Sequence, residues 1–206
     1  MRKFGRFLLW FFHPLAWLIF PFKALKKENI PPEAPGSRVI FCANHISEID
    51  PVFLEMCQKR HVYFMAKSEL FSSRFGAWFC GGLFGAFPVK RGSGDTTALE
   101  TAERIVCEGK ILGIFPEGTR SRDGKLGRAK SGAALIAART GALVVPVCIA
   151  TKGQHLRPFH RTTITFGKPL TPAELHLEDP DHPDLRYASR RIMERIGEML
   201  PSVGEG

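Results

Sequence analysis

Residues 38–51 read RVIFCANHISEIDP, from Arg38 to Pro51. Arg38–Cys42 is a short apolar run, with β-branched and aromatic members, of the kind that forms a buried strand. A polar loop starts directly after it at Ala43, and Pro51 opens a candidate helix over Pro51–Gln58. Strand, polar loop and helix in that order make the repeating unit of a layered α/β fold. In such folds the side chains that act on ligands collect in loops beyond the carboxyl ends of the strands.

The pattern continues down the chain. Val62–Ala66, Ile111–Phe115 and Leu143–Ala150 are further apolar runs of strand length. Pro146 inside the last of these points to an edge position or a bulge. Thr162–Phe166 alternates polar and apolar residues and is expected at a sheet edge. Asp95–Glu108 places Ala98, Ala102, Ile105 and Val106 at helical spacing and stops at Gly109. Lys130–Arg139 is alanine-rich with a stop at Gly141, and Leu185–Leu200 carries Ile192, Ile196 and Met199 as an apolar stripe. The expected fold class is therefore α/β, a mostly parallel central sheet flanked by helices. Its ligand-facing loops begin at Ala43, Lys90, Pro116 and Thr151.

The first 27 residues are of another kind. Phe7–Phe22 reads FLLWFFHPLAWLIFPF, between Arg2, Lys3 and Arg6 on one side and Lys23, Lys26 and Lys27 on the other. No small-x-small cleavage site follows, which argues against a signal peptide. The run falls short of the roughly 20 apolar residues a spanning helix needs, and His13, Pro14 and Pro21 interrupt it. Short helical pieces broken near Pro14 would enter one leaflet, with basic ends on anionic headgroups. A hydrophobic hairpin packed on the domain is the competing reading. The Pro-rich stretch ENIPPEAPG, 28–36, closes this unit. The expected division is an N-terminal membrane-anchoring helical segment, 1–27, and an α/β domain, 37–206.

Hydrophobic residues make up 44% and charged residues 24% of the 206, a globular composition of single-domain size. Cys42, Cys57, Cys80, Cys107 and Cys148 are odd in number and form no CxxC pair, so neither a disulfide framework nor a metal site is expected. Lys and Arg exceed Asp and Glu by 29 to 20, a net charge of +9. That excess asks for an anionic partner: nucleic acid, a membrane surface or a phosphorylated substrate. No nucleic-acid motif or basic–aromatic stacking array accompanies it, so nucleic acid is not an expected partner.

The loops hold the chemistry. His45 is the side chain suited to take a proton near neutral pH. Asp50, five residues on, can reach back across a tight turn and hold the other ring nitrogen. His176 and Asp181 share that spacing, but lie in the acidic, Pro-rich stretch ELHLEDPDHPD with no strand before it. In FPVKRG, Lys90 and Arg91 end an apolar run, and a guanidinium there suits a phosphate. In FPEGTRS, Pro116 and Gly118 turn the chain and cluster Glu117, Thr119 and Arg120, with Arg122, Lys125, Arg128 and Lys130 nearby. Each loop alone is equally compatible with an ordinary solvated turn.

In this order, NHISEID, FPVKRG, FPEGTRS and VVPV resemble the motifs of the glycerolipid acyltransferase family, of the 1-acylglycerol-3-phosphate acyltransferase type. AKSEL, Ala66–Leu70, is similar to that family's AK-x-EL segment. Glu48 and Ile49 fill variable positions of the first motif, and the C-terminal quarter carries no assignable motif.

The resemblance implies that His45 is the general base and Asp50 its partner. The acceptor hydroxyl would attack an acyl thioester directly, with no acyl-enzyme and no cofactor. Acyl-CoA or acyl-carrier protein is the implied donor. Arg91, Glu117, Gly118, Thr119 and Arg120 are the implied acceptor site, with the arginines on its phosphate and Lys67 as a further candidate. Backbone amides near His45 are the candidate oxyanion donors. Phe71–Phe87 is a candidate acyl-chain groove, with helix packing on the sheet as the alternative. The implied reaction turns lysophosphatidic acid into phosphatidic acid, by a monotopic or peripheral protein among the lipids of the cytoplasmic membrane face. The same chemistry on glycerol 3-phosphate, another lysophospholipid or a lyso-aminolipid competes with it. So does a non-enzymatic protein of anionic membranes.

Overall fold

The computed structural model describes residues 11, 14–83, 85–89, 95–121, 123–179 and 181–201. Its strands are β1 (Phe22–Leu25), β2 (Val39–Ala43), β3 (Val62–Lys67), β4 (Phe87–Val89), β5 (Ile111–Ile114), β6 (Leu143–Thr151) and β7 (Thr162–Phe166). They form one sheet in the order β1-β7-β6-β2-β5-β3-β4. Every ladder is parallel except β6–β7. The main helices are α1 (Asp50–Met56), α2 (Arg74–Ala77), α3 (Thr96–Cys107), α4 (Gly132–Thr140) and α5 (Leu185–Gly197). A π-helical turn, Trp78–Leu83, extends α2.

The central strands β2 and β5 are apolar and buried throughout because both faces of the sheet are covered there. On β2, Val39, Phe41 and Ala43 join Phe53 and Leu54 of α1 in one buried cluster. Ile40 and Cys42 join α3, α4 and α5 residues such as Ala102, Ile136 and Ile192 in the other. The helix ends follow local rules. Asp95 and Asp184 cap α3 and α5 by accepting from the Ala98 and Tyr187 N–H groups. Gly141, at φ +64°, closes α4.

Gly113 shows how tightly β5 is packed. A Cβ there would lie 2.3 Å from Cε1 of Phe64 and 2.9 Å from Cγ1 of Val62. Gly113→Ala is expected to lower the unfolding free energy by about 1–3 kcal/mol. A urea transition with a lower midpoint and an unchanged slope checks this.

Three expectations need correction. Phe22–Leu25, read as the end of a helical anchor, is strand β1, paired parallel with β7 from Phe22↔Thr162 to Leu25↔Thr165. A four-residue strand half-covered on one side has too little periodicity to stand out in an apolar run. It follows that β7 is not an edge strand. Its alternation reports one buried face, that of Thr162, Ile164 and Phe166, and says nothing about how many neighbours it has. Pro146 likewise sits in an interior strand, so the edge alternative fails while the bulge alternative holds. The β6–β7 ladder runs from Val147↔Phe166, and a separate bridge joins Val144 to Leu170. Pro146 falls in the gap between them, where its carbonyl accepts from the Gly167 N–H at 2.8 Å.

β2, β3, β4 and β5 end at one edge of the sheet, and β6 runs past it. Thr151, Thr162 and Phe22 are in register, so the turn after β6 and the chain entering β1 lie at that same edge. Residues 14–19 are helical ahead of β1. Among the described residues, no helix is long and apolar enough to cross a membrane. Residues 1–10, 12 and 13 of the expected anchor lie outside the described residues.

Candidate active site

Where β2 ends, Asn44 continues its ladder through a side chain. Asn44 Nδ2 donates to the Ile149 carbonyl at 2.8 Å, and its Oδ1 accepts from the Ile149 N–H at 2.7 Å. This double bond to β6 fixes where the chain leaves the sheet. The next residue, His45, turns back on Asp50, the first residue of α1, and Nδ1 lies 2.8 Å from Asp50 Oδ2. The same oxygen accepts from the Ile46 and Ser47 N–H groups, each at 2.8 Å. Asp50 is fully buried, so its charge is held by these three donors rather than by water. An acceptor on Nδ1 places the proton there and leaves Nε2 with the lone pair a base needs. The ring stacks on Phe115 at a centroid distance of 4.1 Å.

Glu117 ties this loop to the one after β5. Its Oε1 accepts from the His45 N–H at 3.1 Å and its Oε2 from the Gly127 N–H at 2.8 Å, and the residue is buried. The Ser121 N–H returns a bond to the His45 carbonyl at 2.8 Å, and the Lys130 N–H bonds the Pro116 carbonyl at 2.9 Å. Gly118 adopts φ +69°, and the end of the Lys130 side chain passes so close that a Cβ would lie 3.0 Å from its Nζ. Glycine is needed there both for the turn and for that passage.

Beyond Glu117 the surface is cationic. Arg120 Nη1 lies 3.0 Å from Glu48 Oε1, both exposed, so the pair opens at little cost. A cavity of about 390 Å³ is lined by Glu117, Thr119, Arg120, Lys125 and Arg128 among others. Asp123 also lines it, and the Lys125 N–H, with help from the Ser121 hydroxyl, holds its carboxyl below the usual range. Lys67 is exposed at the end of β3, opposite Val89 of β4.

The structure thus brings His45 and Asp50 into contact and places Glu117, Gly118, Thr119 and Arg120 on the adjoining loop. Arg91 lies outside the described residues. The amides of His45, Ile46 and Ser47, expected as oxyanion donors, are already committed to Glu117 and Asp50. Glu117, expected on the acceptor, has both oxygens on backbone N–H groups. The decoy pair separates: His176 stacks on Tyr187 at 4.1 Å, while the Asp181 N–H bonds Asp179. Burial raises the Cys42, Cys57 and Cys148 thiols to about 12, so none of the three offers a thiolate near neutral pH.

The Acyltransferase family profile matches residues 22–150, from the first strand to the sixth. The chain belongs to the acyltransferase family. It is 32% identical over 182 residues to a 1-acyl-sn-glycerol-3-phosphate acyltransferase of Bacillus subtilis, covering 86% of this chain and 87% of that one. A chloroplastic 1-acyl-sn-glycerol-3-phosphate acyltransferase of Arabidopsis thaliana is 29% identical over 158 residues, 74% of this chain; the match spans 43% of that longer protein. The crystal structure of the 1-acyl-sn-glycerophosphate acyltransferase PlsC from Thermotoga maritima superposes with a TM-score of 0.68 at 25% identity, over 96% of this chain and 77% of that one.

Within this acyltransferase, four participants carry no chemical signature in the sequence. Asn44, Phe115, Glu48 and Gly127 act by position: a ladder extension, a ring stack, an exposed ion pair and a backbone donor. Asn44 stands beside His45 in the first motif, but nothing in the sequence assigned a role to any of the four.

Proposed function

We propose that this acyltransferase moves a fatty acyl group from an acyl thioester to the free hydroxyl of 1-acylglycerol 3-phosphate, giving phosphatidic acid for phospholipid synthesis. The observation that carries the reading is the His45–Asp50 contact, with Nδ1 held by a buried carboxylate and Nε2 left as base. Nε2 takes the proton of the acceptor hydroxyl as its oxygen attacks the thioester carbonyl. The tetrahedral intermediate collapses with cleavage of the C–S bond. The departing thiolate takes the proton back from Nε2, so ester and free thiol form with no acyl-enzyme. Asp50 stabilises the imidazolium between the two transfers.

The acceptor phosphate is bound at Arg120, displacing Glu48, with Arg91 and Lys67 as further cations and Gly118 and Thr119 shaping the loop. Glu117 contributes by holding the His45 backbone. The donor is acyl-CoA or acyl-carrier protein, and residues 1–27 hold the protein on membrane lipids. The exposed rings of Phe75, Trp78 and Phe79, within the stretch 71–87, are the candidate wall for an acyl chain.

Mass spectrometry of lipid products tests the reading. Purified protein with acyl-CoA or acyl-carrier protein is offered lysophosphatidate, glycerol 3-phosphate, other lysophospholipids and a lyso-aminolipid. Phosphatidate with release of free thiol is the expected result. Preference for an acceptor without phosphate would remove the roles given to Arg120 and Arg91. Arg120→Ala is expected to raise the acceptor KM about tenfold or more with a smaller change in kcat, as loss of a charge-assisted phosphate contact should. Initial rates across acceptor concentration measure that split.

A further inference from the structure

We propose that the loop between β6 and β7, residues 152–161, is an interfacial anchor for anionic lipid surfaces, with Phe159 as its inserted side chain. The proposal rests on the membrane association given in the reading above. The His160 N–H donates to the Arg157 carbonyl at 3.2 Å, closing a four-residue turn over Arg157-Pro158-Phe159-His160. Proline in the second place and a positive φ in the third are the marks of a type II turn, whose third place favours glycine. Here it is Phe159, at φ +63°. A bulky residue in that region is an outlier that costs conformational free energy. The ring recovers little of that cost inside the fold, because Phe159 is 73% exposed. A strained aromatic at the tip of a turn, bare to solvent, is explained by a contact outside the chain.

The surroundings define that contact. Leu156 packs against the buried cluster on the α1 side of the sheet, so the tip stands on a fixed base. The Phe159 N–H donates to the Ile19 carbonyl at 2.6 Å, and the Thr162 N–H to the Pro21 carbonyl at 2.8 Å. These bonds set Phe159 beside the segment that exposes Leu15, Trp17 and Leu18. Lys152, His155, Arg157, His160 and Arg161 belong to the same loop and are exposed, and no acidic residue occurs between 131 and 170. Asp123, on the adjoining loop, is engaged by the Ser121 hydroxyl and the Lys125 N–H. An apolar tip on a basic loop is the chemistry of an element that enters the headgroup region of an anionic leaflet. The loop lies at the same sheet edge as His45. Insertion of Phe159 therefore turns the catalytic edge toward the bilayer, where a lysolipid resides.

The test uses the full chain with vesicles of phosphatidylglycerol and phosphatidylcholine, and with phosphatidylcholine alone. Phe159→Gly relieves the backbone while removing the ring. Its Tm should be equal to or above wild type, and its partition onto anionic vesicles about tenfold lower, the order expected when one aromatic ring leaves an apolar interface. Arg157→Ser combined with Arg161→Ser should weaken the preference for anionic over neutral vesicles. With p-benzoylphenylalanine in place of Phe159, irradiation on vesicles should yield lipid adducts. A lowered Tm in Phe159→Gly would make the ring a core residue and overturn the proposal. Unchanged partition, or adducts to protein alone while wild type stays on the vesicles, would overturn the loop anchor and leave the N-terminal one standing. Impaired turnover with acyl-carrier protein in detergent, at unchanged partition, would assign the loop to a protein instead. Wild type that stays off both kinds of vesicle would remove the membrane reading itself, whatever the acyltransferase assay gives.

Discussion

His45→Ala is expected to lower kcat/KM for acyl transfer by about 10²–10⁴-fold, the usual span for a positioned general base. The ring is 14% exposed and stacks on Phe115, but it sits in the loop beyond β2, so its removal should leave the sheet intact. Far-ultraviolet circular dichroism and the thermal transition check that point, and thiol release under saturating donor measures the rate. Asp50→Asn is expected to cost a similar factor by a different route. The amide oxygen can still accept from the Ile46 and Ser47 N–H groups, but it no longer carries the charge that stabilises an imidazolium. The two residues act as a unit, so the double variant should be little worse than the worse single variant. Losses that multiply instead would mean that His45 and Asp50 act independently. Equal rates for wild type and His45→Ala would remove the base altogether.

Glu117→Ala is expected to be the most destabilising change in the site, by about 1–3 kcal/mol, because it leaves two partly covered backbone donors without their partner. Those donors, the His45 and Gly127 N–H groups, belong to different loops, so the damage is geometric as well. With the backbone of His45 released, kcat should fall about 10²-fold, on the scale of a 1 Å misplacement of a reacting group. Glu117→Gln keeps one acceptor but turns an amide N–H₂ toward a donor, and should fall between the two. Chemical denaturation paired with steady-state kinetics separates this account from its rival. If the acceptor KM alone rises, at unchanged stability and kcat, Glu117 contacts the acceptor rather than the backbone.

Much of this site was legible in the sequence. Arg38–Cys42 had to be a buried strand, Pro51 had to open a helix, and six residues from His45 to Asp50 had to turn between them. The spacing puts the two side chains within reach, but the strand before them and the helix after them decide the contact, since His176 and Asp181 at the same spacing do not pair. Gly118 was legible too, since a turn between strand and loop selects it. Glu117 was legible as a site residue but not in its direction. Its partners are 72 and 10 residues away, and no local pattern says whether a carboxylate faces a ligand or a neighbouring amide. Pro146 left edge and bulge open for a related reason. Proline reports a missing donor, and only the departure of the chain at Gly167 shows that no donor is wanted there.

By itself, then, the sequence determined the α/β alternation and the loops that carry polar side chains, and it placed Asp50 within reach of His45. All of these follow from periodicity and from bonds closed within a few residues. The tertiary structure alone decided that Phe22–Leu25 joins the sheet, that Asn44 extends β2 onto β6, and that Phe159 stands beside the N-terminal segment. Each depends on the register between strands more than a hundred residues apart. Register is set by how whole faces bury against each other, which no single segment encodes.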